Sequence, residues 1–342
     1  MKVSISVGGY AKDGIEETVQ FVQECERLGV DCVWAAEAWG ADSITALAYL
    51  AAKTEKIKLG SGILQISARA PAMTAMTALS LNVMSGGRYI CGLGVSGPQV
   101  VEGLHGVDYS EPLTRLRENV EILRMAFRGD KLVIDGKRHQ LPRPGGEGKA
   151  LRLDHLPADI PIFLATLAPR SLEYTGAAAD GWLGTSFSPD HAEAHLSHIR
   201  KGAEAAGRSL ADIELVTACS LGIGENVEEQ IEKRKRSVAF NLGAMGSAST
   251  NFYNDAFRRA GYIDDSLAVQ ELWLSGKRPD AIARVPDEMV TAFSAIGTSE
   301  MVRQRIQVYR NVGINGLQLR FDTNDMRERL DMIGQLMDML AE

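Results

Sequence analysis

The sequence predicts an α/β protein folded as a (β/α)8 TIM barrel, and three observations carry that prediction. Short β-branched runs alternate with amphipathic stretches along the chain. Eight strand-like runs each precede a helical stretch, the order that makes a parallel sheet. Closing eight such units protects both edge strands, which an open doubly wound sheet leaves bare.

In order, KVSISV (2–7) precedes a helical stretch at 14–28, DCVWAA (31–36) one at 43–53, KIKLGSGIL (56–64) one at 71–85, and RYICGLG (88–94) one at 112–128. The alternation resumes with IPIFLA (160–165) and a helix from about 170, then DGWLGTS (180–186) and a helix from 189. IELVTACSLGI (213–223) with a helix from 226, and GLQLRF (316–321) with a helix ending near 340, complete the set. Two segments interrupt it. Residues 131–159, with an Asp135-Gly136 turn and a Gly/Pro-rich tip, predict a hairpin insertion after the fourth helix. Residues 241–296 predict a helical insertion before the eighth strand, and the whole of 1–342 is expected to be one domain.

Composition narrows the function. There are 37 basic against 44 acidic residues, a net charge of −7, so the basic excess that attracts nucleic acid or anionic lipid is missing, and neither partner is expected. The longest apolar run, ITALAYLAA (44–52), is far shorter than a membrane span, and KVSISV follows the first residue without a signal-peptide core. A cytoplasmic protein is expected. Cys25, Cys32, Cys91 and Cys219 show no C-x-x-C spacing and read as reduced, buried thiols.

The stretch GLGVSGPQVVEG (92–103) contains Gly92-x-Gly94-x-x-Gly97, the glycine spacing of a dinucleotide fingerprint. That motif also needs a helix opening inside it and an acidic residue after the next strand, and the following Pro98 and GLHGVDYSEP supply neither. In a barrel the stretch falls at the C-terminal end of the fourth strand, where ligands gather and where glycine lets one approach the backbone.

Several segments together resemble the luciferase-like flavin and deazaflavin oxidoreductases, in the coenzyme F420-dependent branch that includes methylenetetrahydromethanopterin reductase. They are VWAAEAWG, the long run TEKIKLGSGILQISARAPAMTAMTALSLNVMSGGRYICGLGVSGPQVVEG, LATLAPRSLEYTGAAADGW and DEMVTAFSAIGTSE. The resemblance implies an F420-dependent oxidoreductase that moves a hydride between deazaflavin C5 and a small organic substrate. An FMN-dependent monooxygenase of the same family is the alternative, and a non-catalytic flavin-binding barrel a third reading. A homodimer is implied by analogy alone.

Residue by residue, the resemblance places Glu37 beside the deazaflavin ring; the histidine that often follows is here Ala38. Gly62, Ile63 and Leu64 match a bulge with a non-prolyl cis peptide behind the ring, although a plain buried strand with a packing glycine also accounts for Gly62. Val95, Ser96, Gly97, Pro98, Gln99 and Val100 line the cofactor, and Thr166, Leu167 and Ala168, just before Pro169, take its phosphate. Tyr10, Trp39 and Thr185 join Glu37 as candidates on the substrate side, with Tyr10 or Glu37 as proton relay; packing roles fit them equally. The sugar-phosphate dehydrogenases of the family carry a glutamate and a lysine where this chain has Gly97-Pro98 and Phe187-Ser188, which argues against glucose 6-phosphate. His191, His195 and His198 share helical spacing but lack the glutamate of a zinc hydrolase helix, so no metal is expected. Arg320 on the last strand is a candidate anion contact or structural ion pair.

Overall fold

The computed structural model describes residues 1–8, 10, 14–245 and 250–341. Strand β1 (Lys2–Val7) is followed by helix α1 (Ile15–Arg27), β2 (Cys32–Ala35) by α2 (Ser43–Ala51), and β3 (Lys58–Ser61) by the short β4 (Leu64–Gln65) and α3 (Pro71–Met84). β5 (Tyr89–Gly94) leads to α4 (Pro98–Val101) and α5 (Pro112–Arg128), then to a hairpin of β6 (Ile134–Asp135) and β7 (Gln140–Leu141). The second half runs β8 (Ile162–Ala165), α6 (Pro169–Ala178), β9 (Gly181–Gly184), α7 (Glu193–Ala205), β10 (Glu214–Ile223) and α8 (Val227–Gly243). Four helices follow, α9 (Phe252–Arg259), α10 (Ile263–Leu274), α11 (Arg278–Ala283) and α12 (Asp287–Ala292). The chain ends with β11 (Ser294–Gly297), α13 (Ser299–Asn311), β12 (Gly316–Arg320) and α14 (Met326–Ala341). Strands β1, β2, β3, β5, β8, β9, β10 and β12 are the eight parallel strands of a (β/α)8 barrel.

By contact density the chain divides into two units, one of Ser6–Glu26 and Asp31–Ala165, the other of Met1–Ile5, Arg27–Val30 and Thr166–Glu342. In the first, β2, β3, β5 and β8 pair in parallel, with Trp34 opposite Gly60 and Leu93 opposite Leu164. Every residue of β2 and β5 is buried, because a parallel strand is covered on both faces. The Trp34 ring occupies the space beside Gly60: a Cβ there would lie 2.2 Å from Trp34 Cε3. Trp34 in turn meets Phe163 with ring centroids 5.7 Å apart.

In the second unit β10 is the hub. Its residues Glu214–Thr217 pair with β9, Val216–Ser220 with β12, and Ser220–Ile223 with β11. β11 falls at the end of the stretch 241–296 expected to be a helical insertion, and with α13 after it forms a further βα unit that the sequence does not predict. The four residues SAIG are too few and too uniformly buried to show a period-2 pattern. β11 pairs with the far end of β10, past the point where β12 stops. Within that insertion, residues 246–249 lie outside the described residues.

Two other expectations change in detail. The third strand, read as continuous over 56–64, breaks at Gly62-Ile63, and β4 then pairs with β5 at Leu64 and Leu93. The hairpin in 131–159 turns over Gly136–His139 rather than at Asp135-Gly136 alone. The buried Glu118 carboxylate dictates this by accepting the backbone N–H groups of Lys137, Arg138 and His139 at 2.7–3.0 Å. Burial by itself would raise the Glu118 pKa, but these donors and the His139 ring hold it below the usual value.

Candidate active site

In the first unit the segment after β2, strand β4 and the segment before α3 gather around one carboxylate. Glu37, two residues past β2, has a side chain only 8% exposed and is gripped by the Arg69 guanidinium, with Nη1 to Oε2 and Nη2 to Oε1 both 2.7 Å. The Ser43 hydroxyl donates to Glu37 at 3.2 Å and the Gln65 backbone N–H at 3.3 Å. Arg69 also reaches Asp42 at 2.6 Å, and the hydrogen bonds and charge of Glu37, with those of Asp42, raise its pKa against the cost of burial. Held this way, Glu37 is an acceptor that ties the end of β2 to β4 and to the Arg69 segment. Sequence reasoning missed Arg69; a cation flanked by alanines just before the Pro71 helix start was the available signal.

The bulge between β3 and β4 belongs to the same assembly. The Gly62-Ile63 peptide is cis. The Gly62 N–H donates to the Ala35 carbonyl at 2.8 Å, and the Glu37 N–H donates to the Ile63 carbonyl at 3.2 Å, so the bulge is stitched to the end of β2. Ile63 is half-buried and packs on Gly94, where a Cβ would come within 2.9 Å of Ile63 Cγ1 and Cδ1. Leu64 is buried against β5. Gln65, 2% exposed, donates to the Ala38 carbonyl and contacts His105 Nε2 at 3.0 Å.

The glycine loop after β5 now has a physical explanation. Gly94 is glycine because Ile63 occupies its side-chain space, and Gly97 caps α4, a helix of only four residues. That is too short for a dinucleotide fingerprint, whose long first helix points at a pyrophosphate, and the next strand of the barrel sheet, β8, ends at Ala165 with no acid. Ser96 has a left-handed φ of 58°, and its carbonyl accepts the Tyr109 hydroxyl at 3.1 Å. Among the described residues, the backbone N–H groups of Ser96 and Gly97 make no hydrogen bond. Val95, Ser96, Gly97 and Pro98 are half-buried, Gln99 is exposed and Val100 is buried.

Tyr10 and Trp39 also fall in this unit. The Tyr10 hydroxyl donates to the Asp42 carbonyl, and burial, followed by the negative charges of Asp42 and Glu37, raises its pKa. Trp39 is 67% exposed, a large aromatic face open to solvent.

In the second unit, Thr166 is buried, its hydroxyl paired with the Thr175 hydroxyl at 2.7 Å and its carbonyl accepting Trp182 Nε1. The Leu167 carbonyl accepts Arg259 Nη2 at 2.8 Å, and Ala168 is the N-cap of α6. Thr166 thus offers a ligand no free hydroxyl; what the segment presents is the start of a helix. Thr185 lines a small cavity after β9 together with Arg320. The three histidines diverge: His191 lies against Tyr262, His195 is buried between Trp182 and Phe187, and His198 meets Glu173 at 3.7 Å.

The family model described as luciferase-like monooxygenase matches residues 2–316. The chain belongs to the luciferase-like monooxygenase family. Its place is in the F420-dependent branch. A Mycobacterium tuberculosis protein assigned by name to the coenzyme F420-dependent oxidoreductases is 36% identical over 323 residues, covering 92% of this chain and 93% of the relative. The 5,10-methylenetetrahydromethanopterin reductase of Methanolobus tindarius is 28% identical over 303 residues, 88% of this chain and 89% of that protein. Among solved structures, the coenzyme F420-dependent tetrahydromethanopterin reductase of Methanopyrus kandleri superposes with a TM-score of 0.81 at 24% identity, over 98% of this chain and 97% of that one. As a luciferase-like protein of this branch, the chain is an oxidoreductase. Among the described residues no helix is long and apolar enough to cross a membrane.

Proposed function

We propose that this luciferase-like barrel binds coenzyme F420 and transfers a hydride between deazaflavin C5 and a small organic substrate, at a C=C, C=N or hydroxyl-bearing carbon. We take residues 1–342 as one domain and the working unit as a homodimer. The observation that carries the cofactor assignment is the pair of unused N–H donors at Ser96 and Gly97, beside a bulge that packs without a gap on Gly94. Two free donors on a fixed turn suit the carbonyl and phosphate oxygens of a deazaflavin nucleotide, so the residues present fit the group.

In this reading Gly62, Ile63 and Leu64 support the ring from behind, and Val95, Ser96, Gly97, Pro98, Gln99 and Val100 line it. Thr166, Leu167 and Ala168 receive the phosphate through backbone N–H groups at the start of α6. When bound, F420 supplies a two-electron hydride carrier that reacts poorly with oxygen. Glu37, fixed by Arg69, holds the end of β2 against β4. Tyr10 holds a proton on its Oη, donated to the Asp42 carbonyl until a substrate competes for it. Trp39 offers an exposed ring for an apolar substrate, and Thr185 a hydroxyl.

Separate titrations with F420 and FMN test the assignment, read by quenching of cofactor fluorescence and by oxygen uptake after reduction. Tight F420 binding with no oxygen uptake is expected. Binding of FMN but not F420, with oxygen consumed, would replace the reading with that of a monooxygenase.

A further inference from the structure

The cavity after β9, β10 and β12 holds a charge that nothing among the described residues answers. It is lined by Arg234 and Arg320 with Thr185, Ser186, Ser220 and Asn241. Arg234 is paired to Asp322 at 3.1 Å. Arg320, among the described residues, has neither an ion pair nor a side-chain hydrogen bond. Asp322 therefore answers Arg234 alone, leaving the positive charge of Arg320 on the cavity lining. Arg320 is open to solvent through the cavity yet crowded by protein, and its pKa is pushed down by that desolvation and by repulsion from Arg234, against the opposing influence of Tyr253.

A second observation points the same way. Ser186 sits at a left-handed φ of 50°, a conformation uncommon for a non-glycine residue. Its hydroxyl is buried without a hydrogen-bond partner, and Ser220 beside the cavity is 2% exposed. The lining residues include guanidiniums and an unpartnered hydroxyl but no carboxylate, a positively charged, donor-bearing set of the kind by which proteins recognise oxyanions. The cavity offers about 30 Å³ to the centres of water-sized molecules. At about 10–15 Å³ per water, that is room for about two oxygen atoms, an anionic head group and not a whole substrate.

We infer that this cavity is the subsite for an oxyanion, a carboxylate or phosphate group, carried by the substrate. The inference rests on the proposed hydride-transfer reading for the word substrate and on the cavity alone for the anion. It narrows the substrate class to organic anions, with the reacting carbon outside the small cavity.

The test uses the full chain, its Arg320→Gln and Arg320→Lys variants, and Lys149→Gln as an exposed control. Circular dichroism confirms that each variant is folded. Acetate, inorganic phosphate and neutral acetamide are titrated separately by calorimetry, and F420 affinity is measured alongside. The wild type is expected to bind acetate or phosphate but not acetamide, and whichever anion binds identifies the head group. Arg320→Gln should weaken that anion roughly tenfold to a hundredfold, the loss of one charge-assisted contact, while Arg320→Lys recovers part of it. Lys149→Gln and F420 affinity should be unchanged. Anion binding that is absent in the wild type, equal in Arg320→Gln, or matched by acetamide overturns the inference. Loss of F420 affinity in Arg320→Gln would assign the anion to the cofactor and overturn it too. A wild type that takes the anion but never binds F420 refutes the cofactor reading while leaving the anion site standing.

Discussion

Replacing Arg69 by glutamine should damage the strand ends that the candidate site is built on. Arg69 makes two 2.7 Å contacts to Glu37 and one of 2.6 Å to Asp42. The Glu37 side chain is 8% exposed and that of Arg69 21%, so this pair is nearer the buried than the surface limit. Removing one partner of a buried pair costs about 3–5 kcal/mol, because the remaining charge loses its compensation. Water reaches Asp42, whose side chain is 39% exposed, and Ser43 and the Gln65 N–H still solvate Glu37. The cost therefore comes down to about 2–3 kcal/mol. Arg69→Lys keeps the charge but lacks the planar fork, and should lose about half as much. Urea denaturation of Arg69→Gln, Glu37→Gln and the double variant gives the coupling directly. The double variant should be more stable than the sum of the single losses by about 2 kcal/mol, since both charges are then gone. If Arg69→Gln stays within about 0.5 kcal/mol of the wild type, or the cycle is additive, the claim that Glu37 is held as an acceptor by this guanidinium is wrong.

Two further predictions concern the core. Gly60→Ala places a methyl group 2.2 Å from the Trp34 ring, which must rotate against Phe163; a loss of about 3 kcal/mol is expected, and an unchanged near-ultraviolet spectrum of the tryptophans would contradict it. His195 is buried with neither ring nitrogen bonded, and burial, then the charges of Arg259 and His198, lowers its pKa from 6.5 to about 3. Below pH 6.5 the unfolded chain takes up this proton and the native one does not, so stability should fall by about 1.4 kcal/mol per pH unit down to about pH 3. His195→Phe, which keeps the aromatic contacts, should remove that slope when unfolding free energies at pH 7 and pH 5 are compared.

The eight strands were legible in the sequence because each is a local run of β-branched or apolar residues followed by a helical period, and local chemistry is visible one segment at a time. The α5 helix at Pro112–Arg128 appears at the bounds its proline and terminal glycine announce. The break at Gly62-Ile63 was readable only through the family resemblance, and β11 was hidden because four buried residues carry no pattern. The use of Gly94 could not be read from its own neighbours, since the atoms that exclude a side chain there belong to Ile63 in the bulge between β3 and β4.

What the sequence determined by itself was the class of the fold and the absence of a basic excess. Only the tertiary structure decided which charges answer one another: that Glu37 is closed by Arg69, thirty-two residues away, and that Arg320 has no ion-pair partner among the described residues. The reason is physical. Propensity and periodicity act over a few residues, whereas the strength and even the existence of an ion pair depend on distances of a few ångströms and on burial, which are fixed only when distant strand ends are brought together.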